Sequence, residues 1–236
     1  ACRAADVGVC NIRNYSGPSV PEHAMALMLA LSRNLFAWRQ SLLEGRWQQS
    51  GQFCFFDHPI TDLHGKRLGI IGKGTLGQAL GQRASAIGME VFYALSQVGA
   101  SHDEDRLPLD ELLQSADVIS LHCPLTPYTR HLIGPRELAM MKPGALLINV
   151  GRGGLVDEQA LLEALANGRL GGAGFDVASV EPPPQDHPLM QALQYPNFIL
   201  TPHVAWASEE SMQRLADQLI DNINAFAEGR RQHRLV

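Results

Sequence analysis

Residues 67–77 read RLGIIGKGTLG, and this stretch decides the fold. Its first half, Arg67 to Ile71, is a short apolar run of strand length that stops at a glycine. Gly72, Gly74 and Gly77 then spell GxGxxG, and the alanine-rich segment from Thr75 to Ile87 has helical spacing. The first two glycines of such a turn let the backbone bend and approach a pyrophosphate, and the third lets helix pack against strand. The anion then rests on amides at the helix N-terminus. The order strand, turn, helix therefore predicts a dinucleotide site at Gly72, Gly74 and Gly77, with Lys73 facing solvent.

Downstream the alternation persists. EVFYAL (90–95), DVISLH (117–122), ALLINV (145–150), AGFDV (173–177) and FILT (198–201) read as strands. LPLDELLQSA (107–116), GPRELAMM and DEQALLEALANG, closed by Gly168, read as the helices between them. A last helix runs from Ser208 to about Glu228. Upstream, Ser19 reads as an N-cap followed by Pro21 and Glu22. Apolar positions at Ala24, Leu27, Met28, Leu31, Leu35 and Phe36 predict one long helix to about Leu43, stopped by Gly45. Residues 48–61 have neither period and read as loop. The pattern predicts an α/β fold, a doubly wound parallel sheet with helices on both faces.

Composition excludes several classes. At 236 residues the chain is one to two domains, and 45% apolar content supplies a core, which argues against disorder. A net charge of -5 without a run of like charges disfavours nucleic acid. The longest apolar stretch, Ala24 to Leu31, falls far short of the ~18 residues of a membrane span. Cys2, Cys10, Cys54 and Cys123 form no CxxC pair, so reduced thiols and no metal site are expected. No secretory h-region precedes them, and a cytoplasmic location follows by default. The opening ACRAADVGVC reads as the middle of a helix-turn-strand unit, so the chain is expected to begin inside a longer protein.

The cofactor type stays open. An acidic residue that holds the adenosine ribose is expected about 20 positions after the glycine turn. Glu90 fits by counting, but it precedes its strand and lies ~15 Å from the cofactor end. The right place is Leu95 or Ser96, and neither is acidic. Nothing there repels a 2′-phosphate, a slight argument for NADP over NAD.

Arg152 in INVGRGGLVDE, Glu181 in FDVASVEPPP and His203 in ILTPHVAWAS fall at the carboxyl ends of later strands, where doubly wound sheets bind ligands. Each alone could be an ordinary loop charge. Together they supply a cation for a substrate carboxylate, an acid that titrates near neutrality, and a carboxylate to tune it.

Through these stretches, together with SVPEHAMALMLALSR, LHCPLTPYTRHLI and KPGALLINVGRGGLVDEQAL, the chain resembles the D-2-hydroxyacid dehydrogenase family over nearly its whole length. NIRNYSGPSVPEH and the Trp-Ala-Ser after His203 are most similar to the family's glycerate dehydrogenase, or hydroxypyruvate reductase, branch. The resemblance implies reduction of a small 2-keto acid by NAD(P)H, with Arg152 on the substrate carboxylate, His203 as proton donor and Glu181 raising the imidazole pKa. It also implies cofactor contacts at Thr75, Leu76, Cys123, Pro124, Val150, Asp176 and Trp206, besides Arg152 and His203, with Leu95 at the usual ribose-acid position. It implies a Rossmann domain over 15–204, remnants of a smaller substrate domain at 1–14 and 205–236, and a homodimer formed through the long helix and the FCFF segment. Two rival readings are a nucleotide-sensing, corepressor-like binding protein and a dehydrogenase of bulkier keto acids.

Overall fold

In the computed structural model, which describes residues 1–5, 7–95 and 105–236, the apolar runs become strands because both of their faces are covered. After a short 3-10 turn at Cys2–Ala5 come helices α1 (Ser19–Ser32), α2 (Leu35–Leu43) and α3 (Arg46–Ser50). The alternating part follows: β1 (Arg67–Ile71), α4 (Thr75–Ala86), β2 (Glu90–Ala94), β3 (Arg106–Leu107), α5 (Leu109–Ser115) and β4 (Val118–Leu121). It continues with α6 (Pro135–Met140), β5 (Leu146–Asn149), α7 (Glu158–Ala166), β6 (Gly172–Phe175), α8 (Pro188–Ala192), β7 (Phe198–Leu200) and α9 (Glu209–Ala227).

The strands form one parallel sheet in the order β3-β2-β1-β4-β5-β6-β7. Chain order reverses between β1 and β4, and the two carboxyl ends there frame the crevice of a doubly wound fold. Alternate strand residues feed two cores. Leu68, Ile70, Val118 and Ile148 pack with Leu27 and Met28 of α1 and Leu80 of α4. Ile119, Leu121, Leu147 and Phe175 pack on the other face with Leu112, Leu138 and Leu161. Each such side chain contributes about 1.5–3 kcal/mol by leaving water.

Three sequence expectations need correction. The single long helix is two, because Asn34 takes the left-handed conformation at φ 51 and its side-chain amide donates to the Pro59 carbonyl at 2.6 Å. Asn tolerates that conformation well, and the apolar spacing continues across the break, which hid it. The loop assigned to 48–61 begins inside α3. Ser19 is not a cap: Pro18 holds that position, and the Ser19 hydroxyl instead meets Ser208 at 2.8 Å and Ser211 at 2.5 Å, joining α1 to the start of α9.

The first residues of the chain lie along α9 and the last ones. Gln218 exchanges hydrogen bonds with the Arg13 backbone at 3.0 Å in both directions, and the Leu235 N–H donates to the Val9 carbonyl at 2.7 Å.

Candidate active site

Where β1 gives way to α4 the backbone leaves no room for side chains at two glycines. Gly72 sits at φ +116, and a Cβ there would lie 2.6 Å from the His122 carbonyl group. At Gly77 a Cβ would come within 2.0 Å of the Gly72 oxygen. Gly74 is different: it is extended, with nothing within 4 Å of its Cβ position. No side chain caps α4, so the leading amides at Thr75, Leu76 and Gly77 open onto that space with the positive end of the helix dipole behind them. Uncapped amides beside an open glycine fit a pyrophosphate.

The next strand end touches the same turn. The Cys123 N–H would be 2.8 Å from a Gly72 Cβ, so Cys123 and Pro124 adjoin the glycine turn across the β1–β4 crevice. Burial pushes the Cys123 thiol up, keeping it protonated and inert. The Pro124 carbonyl accepts from the Thr129 hydroxyl at 2.7 Å. Val150 is buried just after β5, and Leu95, just after β2, is 38% exposed. Ser96 lies outside the described residues. Lys73 does not face solvent as expected: its ammonium donates to Asp105 at 2.7 Å and lies 5.0 Å from the centre of the Tyr93 ring. The carboxylate and the ring fold the side chain back against the sheet.

At the other end of the crevice the loops after β5, β6 and β7 converge. His203 holds a left-handed backbone at φ +56, an uncommon conformation for a non-glycine residue and one found at functional sites. Its Nδ1 meets Glu181 Oε2 at 2.7 Å. Burial pushes the Glu181 carboxyl up, but hydrogen bonds from His203 and the Ala178 N–H, with the charges of His203 and Arg152, outweigh it and hold the group below its ordinary 4.5. Arg152 is exposed and donates to the Gly151 carbonyl at 2.7 Å. Its turn is pinned by Asn149, whose amide donates to the Arg152 carbonyl at 3.0 Å. The turn also abuts the Glu181 loop, since a Cβ on Gly153 would lie 1.8 Å from the Ala178 oxygen.

Asp176 holds the His203 loop. It is 1% exposed, and its carboxylate accepts from the Thr201 hydroxyl at 2.6 Å and from the Val204 and Ala205 N–H groups at 2.9 and 2.8 Å. The Trp206 indole N–H donates to the His203 carbonyl at 3.0 Å. Sequence reasoning missed two further parts. His23 of α1 meets Thr201 through Nε2 at 2.9 Å, extending the Asp176 network into the helix. Glu158, at the start of α7, is buried and accepts from the Ser179 N–H at 2.8 Å and hydroxyl at 2.5 Å, with His187 Nε2 at 3.2 Å. A His on α1 directly before its apolar run was the only signal for the first. For the second, no local pattern joins residues so far apart in the chain.

A cavity of about 560 Å³ opens beside the pair, lined by Asp176, Glu181, Leu193, Leu200, Pro202 and His203 among others, and Arg152 does not line it. Among the described residues no three His, Cys, Asp or Glu side chains group to hold a metal, all four cysteines are free, and no helix is long and apolar enough to cross a membrane.

The arrangement has counterparts among known proteins. Residues 25–205 match the family model described as D-isomer specific 2-hydroxyacid dehydrogenase, NAD binding domain. A glycerate dehydrogenase of Methylorubrum extorquens is 50% identical over 235 residues, covering 99% of this chain and 73% of that protein. The D-lactate dehydrogenase of Aquifex aeolicus, solved with NAD and lactic acid, superimposes with a TM-score of 0.83 at 31% identity over 97% of this chain and 72% of that one. An acyclic imino acid reductase solved with NADPH and D-Arg does so with 0.84 at 29% identity, over 100% and 73%.

Proposed function

The chain belongs to the D-isomer specific 2-hydroxyacid dehydrogenase family, and we propose that it reduces hydroxypyruvate to D-glycerate. It is an NAD(P)-dependent oxidoreductase acting on a small 2-hydroxy or 2-keto acid. When bound, the reduced nicotinamide supplies hydride to C2 of the keto acid. The remaining work belongs to the side chains. Arg152 binds the substrate carboxylate and draws charge from the keto oxygen. His203 gives a proton to that oxygen. Because Nδ1 is committed to Glu181, Nε2 is the donor atom, and Glu181 fixes the ring's orientation. The pyrophosphate would rest on Gly74, Thr75, Leu76 and Gly77, and the adenosine half near Leu95, Ser96, Cys123 and Pro124. The nicotinamide would lie toward Val150, Asp176, His203 and Trp206.

The observation that carries this reading is the 2.7 Å His203–Glu181 pair on a left-handed backbone at the end of β7, in the same crevice as the uncapped helix. The likeness to the Methylorubrum extorquens enzyme supports the choice of substrate. The test is a panel of hydroxypyruvate, glyoxylate and phenylpyruvate, read by nicotinamide absorbance. Hydroxypyruvate should lead phenylpyruvate in kcat/KM by about tenfold or more, the worth of a poorly fitted bulky group. Phenylpyruvate in the lead would refute the substrate, and cofactor binding without turnover of any keto acid would refute the reaction.

The same reading takes residues 15–204 as the dinucleotide domain and 1–14 with 205–236 as parts of the substrate domain. It also takes the chain as a cytosolic homodimer. Leu43, Trp47, Phe53, Phe56 and Ile60 are exposed on α2, α3 and the following segment, Phe53 at 93% and Phe56 at 85%, which suits a partner surface. Free cysteines suit a reducing compartment.

A further inference from the structure

The Glu158 carboxylate is 8% exposed, and among the described residues no lysine or arginine meets it. Such a charge is costly to bury unless hydrogen-bond donors surround it. Ser179 supplies two, its N–H to Oε1 at 2.8 Å and its hydroxyl to Oε2 at 2.5 Å. His187 completes the group. Its Nδ1 accepts from the Leu189 N–H at 3.3 Å as the cap of α8, so the ring hydrogen is on Nε2. That atom lies 3.3 Å from the Ser179 hydroxyl oxygen and 3.2 Å from Glu158 Oε2. One carboxylate at the first turn of α7 thus meets both ends of the segment 179–187.

Glu181 lies inside that segment. Residues 179–186 are exposed but for half-buried Pro183, so packing does little to hold them. On one side Pro182 and Pro183 line the cavity of about 560 Å³, which leaves Glu181 room to swing away from His203. On the other, Ala178 abuts Gly153, and its N–H donates to Glu181 Oε1 at 2.9 Å. The grip of Glu158 on Ser179, the next residue, keeps that N–H aimed and leaves Oε2 for His203 at 2.7 Å.

We infer that Glu158 is a positioning residue for proton transfer: it holds the segment 179–187 so that Glu181 stays in register with His203. The inference rests on the reading of His203 and Glu181 as the acid pair and adds the residue that sets their contact. No hydrogen bond or ion pair joins Glu158 to either of them, so it acts only through the loop. A misplacement of about 1 Å can slow a reaction by up to about a hundredfold.

The test is a double-mutant cycle on this chain, with kcat and KM for hydroxypyruvate measured for Glu158→Gln, Glu181→Gln and the two together. The amide of Glu158→Gln keeps an acceptor for the Ser179 N–H but sets a second donor against His187 Nε2. Each single variant should lower kcat about tenfold with KM within about threefold. The double variant should stay within about threefold of Glu181→Gln alone, because Glu158 then has nothing left to act through. Ser179→Ala spares the buried carboxylate and should lower kcat about threefold, an effect absent in the Glu181→Gln background, so the inference is decided even where Glu158→Gln folds poorly. Losses that multiply to about a hundredfold in the double variant, or a Glu158→Gln kcat equal to wild type, would overturn the role of Glu158 alone. So would a raised KM at unchanged kcat, which would place its action on Arg152. Wild-type kcat in Glu181→Gln would overturn the acid pair on which the inference rests.

Discussion

At the β1–α4 turn the groups that would meet a ligand are main-chain amides, whereas at the ends of β6 and β7 they are side chains held by other side chains. The first arrangement needs glycine at set intervals and very little else. The second needs Asp176, Thr201, His23 and Trp206 to hold His203, and Glu158 with Ser179 to hold the Glu181 loop. Damage should therefore spread differently. A backbone cradle fails when an atom is added, and a side-chain cluster fails when one is removed.

The largest expected effect falls on the cradle. Gly77→Val puts atoms where even a Cβ would lie 2.0 Å from the Gly72 oxygen. Helix α4 must move off β1, at a cost of about 3 kcal/mol or more, and binding of NADH and NADPH alike should vanish. Calorimetry and a fluorescence titration with NADH and NADPH check both. A variant that binds normally would mean that the turn is not the cradle.

On the other side, Asp176→Ala leaves two loop N–H groups and the Thr201 hydroxyl without their acceptor. It should cost about 3 kcal/mol in urea unfolding and lower kcat about a hundredfold through displacement of His203. Loss of stability with unchanged kcat would show that the network braces the fold and not the proton donor.

Acid separates the halves again. Burial holds His122, beneath the Gly72 turn, neutral and lowers its pKa from 6.5 to about 4. Its folded value lies below the unfolded one, so the stability it contributes is complete above pH 6.5 and is lost as pH falls toward about 4, roughly 3 kcal/mol in all. His122→Gln should flatten the fall of Tm between neutral pH and that limit. An unchanged slope would mean that acid acts elsewhere.

The smallest effect concerns Glu181. Its pKa is held below 4.5, so its contribution is present above that pH and lost as pH drops through the lowered value. The side chain is 39% exposed, and screening keeps the stability term below about 1 kcal/mol. Glu181→Gln should accordingly leave Tm nearly unchanged while altering the pH profile of kcat/KM. A large drop in Tm would make this residue a structural one.

The contrast also explains what could be read from the chain alone. Strands β1, β4, β5, β6 and β7 announce themselves because strands buried on both faces are continuous apolar runs, and GxGxxG is legible because a backbone cradle is encoded by neighbouring residues. The two-residue strand β3 is too short to have a period, and the break at Asn34 sits inside an unbroken apolar pattern. Arg152, Glu181 and His203 stood out as charges at strand ends. The side chains that hold them did not, because Asp176 with Thr201 and Glu158 with Ser179 meet only through the fold. Lys73 was misread for the same reason, its partner Asp105 lying across the β2–β3 edge.

The central claim is that cofactor binding and proton donation reside in separable parts of one crevice, and His203→Ala tests it most directly. On one preparation, kcat with hydroxypyruvate and the Kd for the reduced cofactor, NADH or NADPH, are measured together. The account predicts a fall in kcat of about a hundredfold or more with Kd within a few fold of wild type. Unchanged kcat, or loss of cofactor binding in step with activity, would contradict it.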